Sequence, residues 1–156
     1  MRFLKTESMV VSSPVGNVRI TSEDDFLVKV EFVTDRESES QNKILQETAE
    51  QLRQYFAGGR ETFDLPVKLN GTPFQEAVWT ALCEIPFGST CTYKDIADKI
   101  DNPKAVRAIG QANKANKLPI IIPCHRVIGK NRTLTGYAGK QVDKKEVLLQ
   151  VEKIIL

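Results

Sequence analysis

Acidic residues are missing from Asn102 to Val142, a stretch in which Lys and Arg occur eight times: Lys104, Arg107, Lys114, Lys117, Arg126, Lys130, Arg132 and Lys140. A run of one sign this long suits a polyanionic partner, of which nucleic acid is the commonest, although a solvated basic face would also account for it. Cysteine and histidine are scarce. The three cysteines (Cys83, Cys91, Cys124) form no CxxC pair and only one histidine, His125, accompanies them, so neither a disulfide framework nor a zinc site is supported. Free thiols in a reducing compartment are the simpler account. No apolar run approaches the roughly 18 residues of a membrane span. The opening MRFLKTESMV lacks the apolar core and small-residue cleavage site of a secretion signal. A cytoplasmic protein is expected.

What is present is the chain of one ordinary domain or two small lobes: 156 residues, 41% hydrophobic and 27% charged. At this length folding hides roughly 68–70% of the unfolded chain's surface. Charge is uneven, net −3 over residues 1–70 and net +5 over 71–156. Residues 9–33 alternate β-type runs (MVVSS, VRITS, FLVKVEFV) with turn residues, which predicts an antiparallel meander. From about Ser40 the apolar period becomes helical, with Ile44, Leu45, Thr48, Leu52, Tyr55 and Phe56 on one side and Gly58-Gly59 as the stop. The expected organisation is a small α+β domain over 1–65 and a mostly helical domain over 66–156.

In the second part Thr72 and Pro73 are placed to cap and open a helix whose apolar face is Phe74, Val78, Ala81, Leu82 and Ile85. Thr92 caps the next, with Tyr93, Ile96, Ala97 and Ile100 at helical spacing. Asn102-Pro103 then opens a third, to Ala115, that buries Ala105, Ala108, Ile109 and Ala112 and turns Lys104, Arg107, Gln111 and Lys114 outward. Two short helices of this kind fit a helix-turn-helix with a basic recognition helix. Gly110 costs about 1 kcal/mol relative to alanine there, which suggests close approach of a backbone or phosphate, or tight core packing. LPIII (Leu118–Ile122) reads as a β-like run, and Asp143 caps a last helix with Val147, Leu148, Val151 and Ile155 buried and Glu152 at the edge.

Cys124 stands where this apolar run gives way to polar loop, with His125 and Arg126 beside it. The thiolate is the nucleophilic form, and a free thiol of pKa about 8.5 is roughly 3% ionised at pH 7; nearby cations or an imidazole raise that share. For Cys83 and Cys91 an inert buried thiol is the simpler reading. Neighbours in an extended segment point to opposite faces, so contact between Cys124 and His125 needs a turn or a bridging water. A Cys-His hydrolase would draw its histidine from elsewhere in the chain, and there is no second one. Glu152 is a candidate partner to fix the tautomer of His125.

PCHRVI (Pro123–Ile128), LTGYAG (Leu134–Gly139), NPKAVRAIG (Asn102–Gly110), GTPFQEAVW (Gly71–Trp79) and LLQVE (Leu148–Glu152) are similar, in order and spacing, to motifs of the O6-alkylguanine-DNA alkyltransferases, also called methylated-DNA-protein-cysteine methyltransferases. The resemblance implies a ribonuclease H-like N-terminal lobe and a winged helix-turn-helix-like DNA-binding lobe. It implies a monomer that repairs duplex DNA in a single turnover, flipping the base out of the stack. Cys124, as thiolate, would take a methyl or other alkyl group from O6 of guanine, or O4 of thymine. His125 would receive the thiol proton through a water, Glu152 would orient the imidazole and Asn116 would brace the turn. Tyr93 would donate a proton to the departing guanine, and Arg107 would fill the space the flipped nucleotide leaves. Lys104, Ala105, Gln111, Lys114 and Arg126 are expected at the DNA, and Val127, Gly136, Tyr137, Ala138 and Gly139 around the base. No metal or other cofactor is implied.

The chain departs from that pattern in four places. Lys117-Leu118 follow Asn116 where many relatives have proline, Ala138 stands where some carry serine, Lys140 replaces a usual glycine, and one extra residue lies between Gly139 and Leu148. Two other classes compete. A helix-turn-helix regulator with Cys124 as redox sensor predicts operator binding and usually a dimer, for which no apolar stripe is evident. A cysteine hydrolase would turn over and would leave the acid-free stretch without a purpose.

Overall fold

Strand-forming residues at alternating positions fold the N-terminal segment into an antiparallel sheet of β1 (Thr6–Val11), β2 (Asn17–Glu23) and β3 (Phe26–Val33), in that order. The computed structural model describes residues 5–130 and 142–154, and the chain separates into two units, Met1–Leu69 and Asn70–Leu156. In the first, Val18, Ile20, Leu27 and Val30 are buried on one face of the sheet, and Val10, paired with Arg19, is buried on the other. Helix α1 (Lys43–Phe56) starts at Asn42, whose side chain accepts from the Leu45 N–H at 3.0 Å. It contributes Leu45, Thr48, Gln51, Leu52 and Tyr55 to the core. Gly58, at φ +83°, follows its last turn, a conformation that favours glycine.

The second unit is built on two capping boxes. Thr72 and Gln75 bond reciprocally at the start of α2 (Pro73–Cys83), and Thr92 and Asp95 do the same at the start of α3 (Tyr93–Lys99). Trp79 of α2 is 2% exposed and donates its indole N–H to the Ala112 carbonyl at 2.9 Å. The same ring explains Gly71, because a Cβ there would lie 2.6 Å from it. Short parallel strands β4 (Cys91–Thr92) and β5 (Val127–Ile128) pair Cys91 with Val127 and Thr92 with Ile128. The α+β class therefore holds, with α4 (Val106–Lys114) and α5 (Val142–Val151) completing the helices among the described residues.

Several local expectations are corrected. The basic helix begins at Val106 instead of Pro103: residues 102–105 form a turn closed by the Ala105 N–H on the Asn102 carbonyl at 3.0 Å, and no side chain caps the helix. Its buried stripe is Ile109, Ala112 and Asn113, while Ala108 is exposed and Ala105 half-buried. Beyond its own stretch of helix, a Cβ on Gly110 would meet nothing within 4 Å among the described residues, so their packing does not require glycine there. Leu118–Ile122 is a tight turn and not a strand, closed by the Ile122 N–H on the Leu118 carbonyl at 2.8 Å, with Ile120 at φ +77°. A β-branched residue in that region costs on the order of 1–3 kcal/mol, and surrounding contacts must hold it. Cys83 is exposed and Cys91 half-buried, so neither is the buried thiol expected.

Candidate active site

Asn116 holds the strained turn. Its Nδ2 donates to the Ile122 carbonyl at 2.9 Å and its Oδ1 accepts from the Leu118 N–H at 2.9 Å, so one side chain satisfies both ends of a loop that has no strand partner. The chain leaves this turn at Pro123 and enters a single 3-10 turn, Cys124–Arg126. That turn, and not an extended segment, sets the directions of the cysteine and histidine.

Cys124 is 1% exposed, His125 is fully buried and Arg126 is 6% exposed. The His125 Nε2 lies 2.6 Å from Glu152 Oε2. Arg126 reaches the same carboxylate with Nε at 2.8 Å and a terminal nitrogen at 3.1 Å, and donates its other terminal nitrogen to the Ile85 carbonyl at 2.7 Å. Its guanidinium also lies 5.8 Å from the Phe87 ring centre. The Gly88 N–H completes the set, donating to Glu152 Oε1 at 3.0 Å. Glu152 is therefore bonded by three groups from two segments, and α5 is tied through it to the 3-10 turn and to the loop after α2. Arg126, expected at the DNA, is instead spent inside: its cation neutralises the carboxylate that orients His125.

The protonation states follow from burial and neighbours. Burial opposes charge on Glu152, but His125, Arg126 and the Gly88 N–H overcome it and hold the carboxyl down at about 2. Burial holds His125 below its ordinary value against the pull of Glu152. The imidazole is then neutral at pH 7, with its Nε2–H donating to the Glu152 carboxylate and Nδ1 as the basic nitrogen. Burial pushes the Cys124 thiol up to about 11, against the hydrogen bond from Asn116 and the charge of Lys145, which both draw it down. The resting site holds a thiol, so the ionised share at neutral pH is smaller than cations in the sequence suggest.

Lys145 is the site residue that sequence reading missed. It is fully buried, donates to the Val127 carbonyl at 2.5 Å, and is lowered by burial to about 8 with the Cys124 charge acting in the other direction. Lys145, Leu148, Leu149 and Glu152 are buried together at i, i+3, i+4 and i+7, a spacing that could have revealed it. Val147 and Val151, expected in that stripe, are only half-buried, and Asp143 lies inside the first turn of α5.

Tyr93 opens α3 and is half-buried, and Val127 is fully buried in β5 with its carbonyl engaged by Lys145. Lys104, Arg107, Gln111 and Lys114 are exposed along the turn and helix α4. Gly136, Tyr137, Ala138 and Gly139, named for the base pocket, lie outside the described residues. Among the described residues no group of three His, Cys, Asp or Glu side chains could hold a metal ion, and no helix is long and apolar enough to cross a membrane.

Comparison with known proteins gives a consistent result. Residues 73–154 match the family described as 6-O-methylguanine DNA methyltransferase, DNA binding domain, and residues 8–69 match its ribonuclease-like domain. The constitutive methylated-DNA–protein-cysteine methyltransferase of Bacillus subtilis is 48% identical over 91% of this chain and 92% of its own. The crystal structure of the Mycobacterium tuberculosis O6-methylguanine methyltransferase superposes with a TM-score of 0.87 at 36% identity, over 96% of this chain and 93% of that one. The M. tuberculosis protein in complex with DNA gives 0.83 at 39% identity, over 92% and 91%.

Proposed function

The chain belongs to the 6-O-methylguanine DNA methyltransferase family, and from that premise we propose that Cys124 is the acceptor to which it transfers an alkyl group from O6 of guanine in duplex DNA. Its function is DNA repair by alkyl transfer, and DNA is its partner. Neither the redox regulator nor the hydrolase retains support. The observation that carries the residue assignment is the buried Cys124 thiol beside a neutral His125, itself held by the Glu152–Arg126 pair.

The transfer then proceeds in balanced steps. The Cys124 proton passes through a water to His125 Nδ1, leaving thiolate and imidazolium, the latter paired with Glu152. Both charges stay inside the site, which removes the need to ionise a thiol of pKa about 11 against bulk solvent. The thiolate attacks the alkyl carbon, a C–S bond forms as the C–O6 bond breaks, and the electron pair returns to guanine, which takes a proton from Tyr93. Lys145 stabilises the thiolate until the attack. A thioether is a poor leaving group, so each protein acts once.

The reacting carbon sits within stacked bases, and Cys124 is buried in the protein, so the nucleotide must be extruded to meet it. The exposed cations Lys104, Arg107 and Lys114, with Gln111, suit backbone contacts that ignore sequence, as a lesion in any context requires. Arg107 fills the vacated stack, and a monomer suffices because one copy contains every group named.

Incubating the protein with a duplex containing one O6-methylguanine should place one methyl group on the tryptic peptide Leu118–Arg126 and none after Cys124→Ser. Repeated turnover, or methyl on Cys83 or Cys91, would refute the assignment. Arg107→Ala should slow duplex repair about 10- to 100-fold, as expected for losing a charged contact worth roughly 1.5–3 kcal/mol. Reaction with free O6-benzylguanine base should be nearly unaffected; equal losses would remove Arg107 from the flipping step.

A further inference from the structure

Helix α4 is basic on its outer face, and its buried stripe contains one polar side chain, Asn113, at 2% exposure. Its Nδ2 lies 3.4 Å from the Cys124 carbonyl oxygen, longer than an ordinary hydrogen bond. Its Oδ1 is buried with no hydrogen-bond partner among the described residues. Leaving an amide oxygen in that state costs roughly 1–3 kcal/mol, and a leucine of similar size would fill the same space without it. Packing therefore does not account for the amide. The carbonyl it touches belongs to the peptide that joins Cys124 to His125, so the side chain lies against the link between thiol and imidazole.

We propose that Asn113 is a positioning residue for the proton relay, its Oδ1 accepting one hydrogen of the water that carries the Cys124 proton to His125. The inference rests on the relay described above. The water accepts the thiol proton and gives one of its own hydrogens to Nδ1, while its other hydrogen stays on the water and donates to Asn113 Oδ1. Water is regenerated, and thiolate and imidazolium remain. Without Asn113 the water has two partners and can rotate its lone pair away from the thiol; with it there are three, the number a buried water usually holds. The helix that carries Arg107 on its outer face thereby also carries, on its inner face, a group that sets the relay.

The test follows single-turnover methyl transfer from an O6-methylguanine duplex across the neutral to alkaline range, in H2O and D2O, with DNA affinity and melting measured alongside. Asn113→Leu should slow transfer about 10- to 100-fold at neutral pH, the range expected for a misplaced reacting group. The rate should climb with pH as solvent hydroxide replaces the relay, the solvent isotope effect should change, and DNA affinity and melting should be held. Wild-type rate and profile in Asn113→Leu overturn the proposal, as does a slowing that only tracks lost DNA affinity. If Asn113→Leu melts early, Asn113→Val is read by the same criteria. His125→Gln separates the two claims: a wild-type pH profile in that variant refutes the relay itself, whatever Asn113→Leu shows.

Discussion

Glu152→Ala should lower the unfolding free energy by about 3–5 kcal/mol, the usual cost of leaving a buried charge without its partner. The stranded group is Arg126, which would keep only the Ile85 carbonyl and the Phe87 ring; the Gly88 N–H and His125 Nε2 also lose their acceptor. Marginal domains have on the order of 5–15 kcal/mol to lose, so the effect is visible in a denaturant melt. The acid side of the stability curve gives an independent reading. The folded carboxyl titrates at about 2 against an ordinary 4.5, so its contribution is fully present above about pH 4.5 and is lost as pH falls through 2. That interval corresponds to about 3 kcal/mol, within the range expected for the substitution. Glu152→Gln should flatten the curve there; an acid profile like wild type would mean that the carboxylate does not anchor the fold. Transfer should also slow about 100-fold or more, because the imidazole loses the partner that fixes its basic nitrogen.

Local signals in the sequence were reliable where the interaction spans a few residues. Thr72-Pro73 and Thr92 start their helices because the capping side chain and its N–H partner lie three positions apart. The two hairpins of the sheet were legible for the same reason. Asn102-Pro103 misled, since a turn uses the same residues as a cap and the choice depends on what α4 packs against. Leu118–Ile122 misled more deeply: three isoleucines favour a strand, but two bonds from Asn116 impose a turn and hold Ile120 in a conformation isoleucine avoids. Arg126 looked like one more cation for DNA because its neutralising partner is 26 residues downstream. Cys124, His125, Asn116 and Glu152 were named from motifs, yet the resting protonation of the thiol depends on burial, which no short motif contains.

Lys145 is where the fold and the reaction pull apart, so Lys145→Met should separate them. A lysine with no exposed surface is poorly placed for stability. Its folded pKa of about 8 lies below an ordinary 10.5, which means burial disfavours the charged form by about 3 kcal/mol. Below pH 8 both folded and unfolded chains carry the proton and that penalty is present in full. Between about 8 and 10.5 the folded chain releases it first, and stability rises with pH. Lys145→Met should abolish that alkaline rise and should leave stability at pH 7 no lower than wild type by more than the roughly 1–3 kcal/mol of an unpaired Val127 carbonyl. Transfer should be affected in the other direction. Without the cation the Cys124 thiolate is harder to form, and each unit of upward shift lowers the reactive fraction about tenfold at neutral pH. Neutral-pH transfer should therefore fall about tenfold or more, and alkylation of Cys124 by iodoacetamide should need higher pH. A variant that unfolds early yet reacts with the wild-type pH profile would mark Lys145 as a strut for β5. A variant that is as stable as wild type or more so, but slow at neutral pH, would show that the buried cation is retained for the thiolate against the interest of the fold.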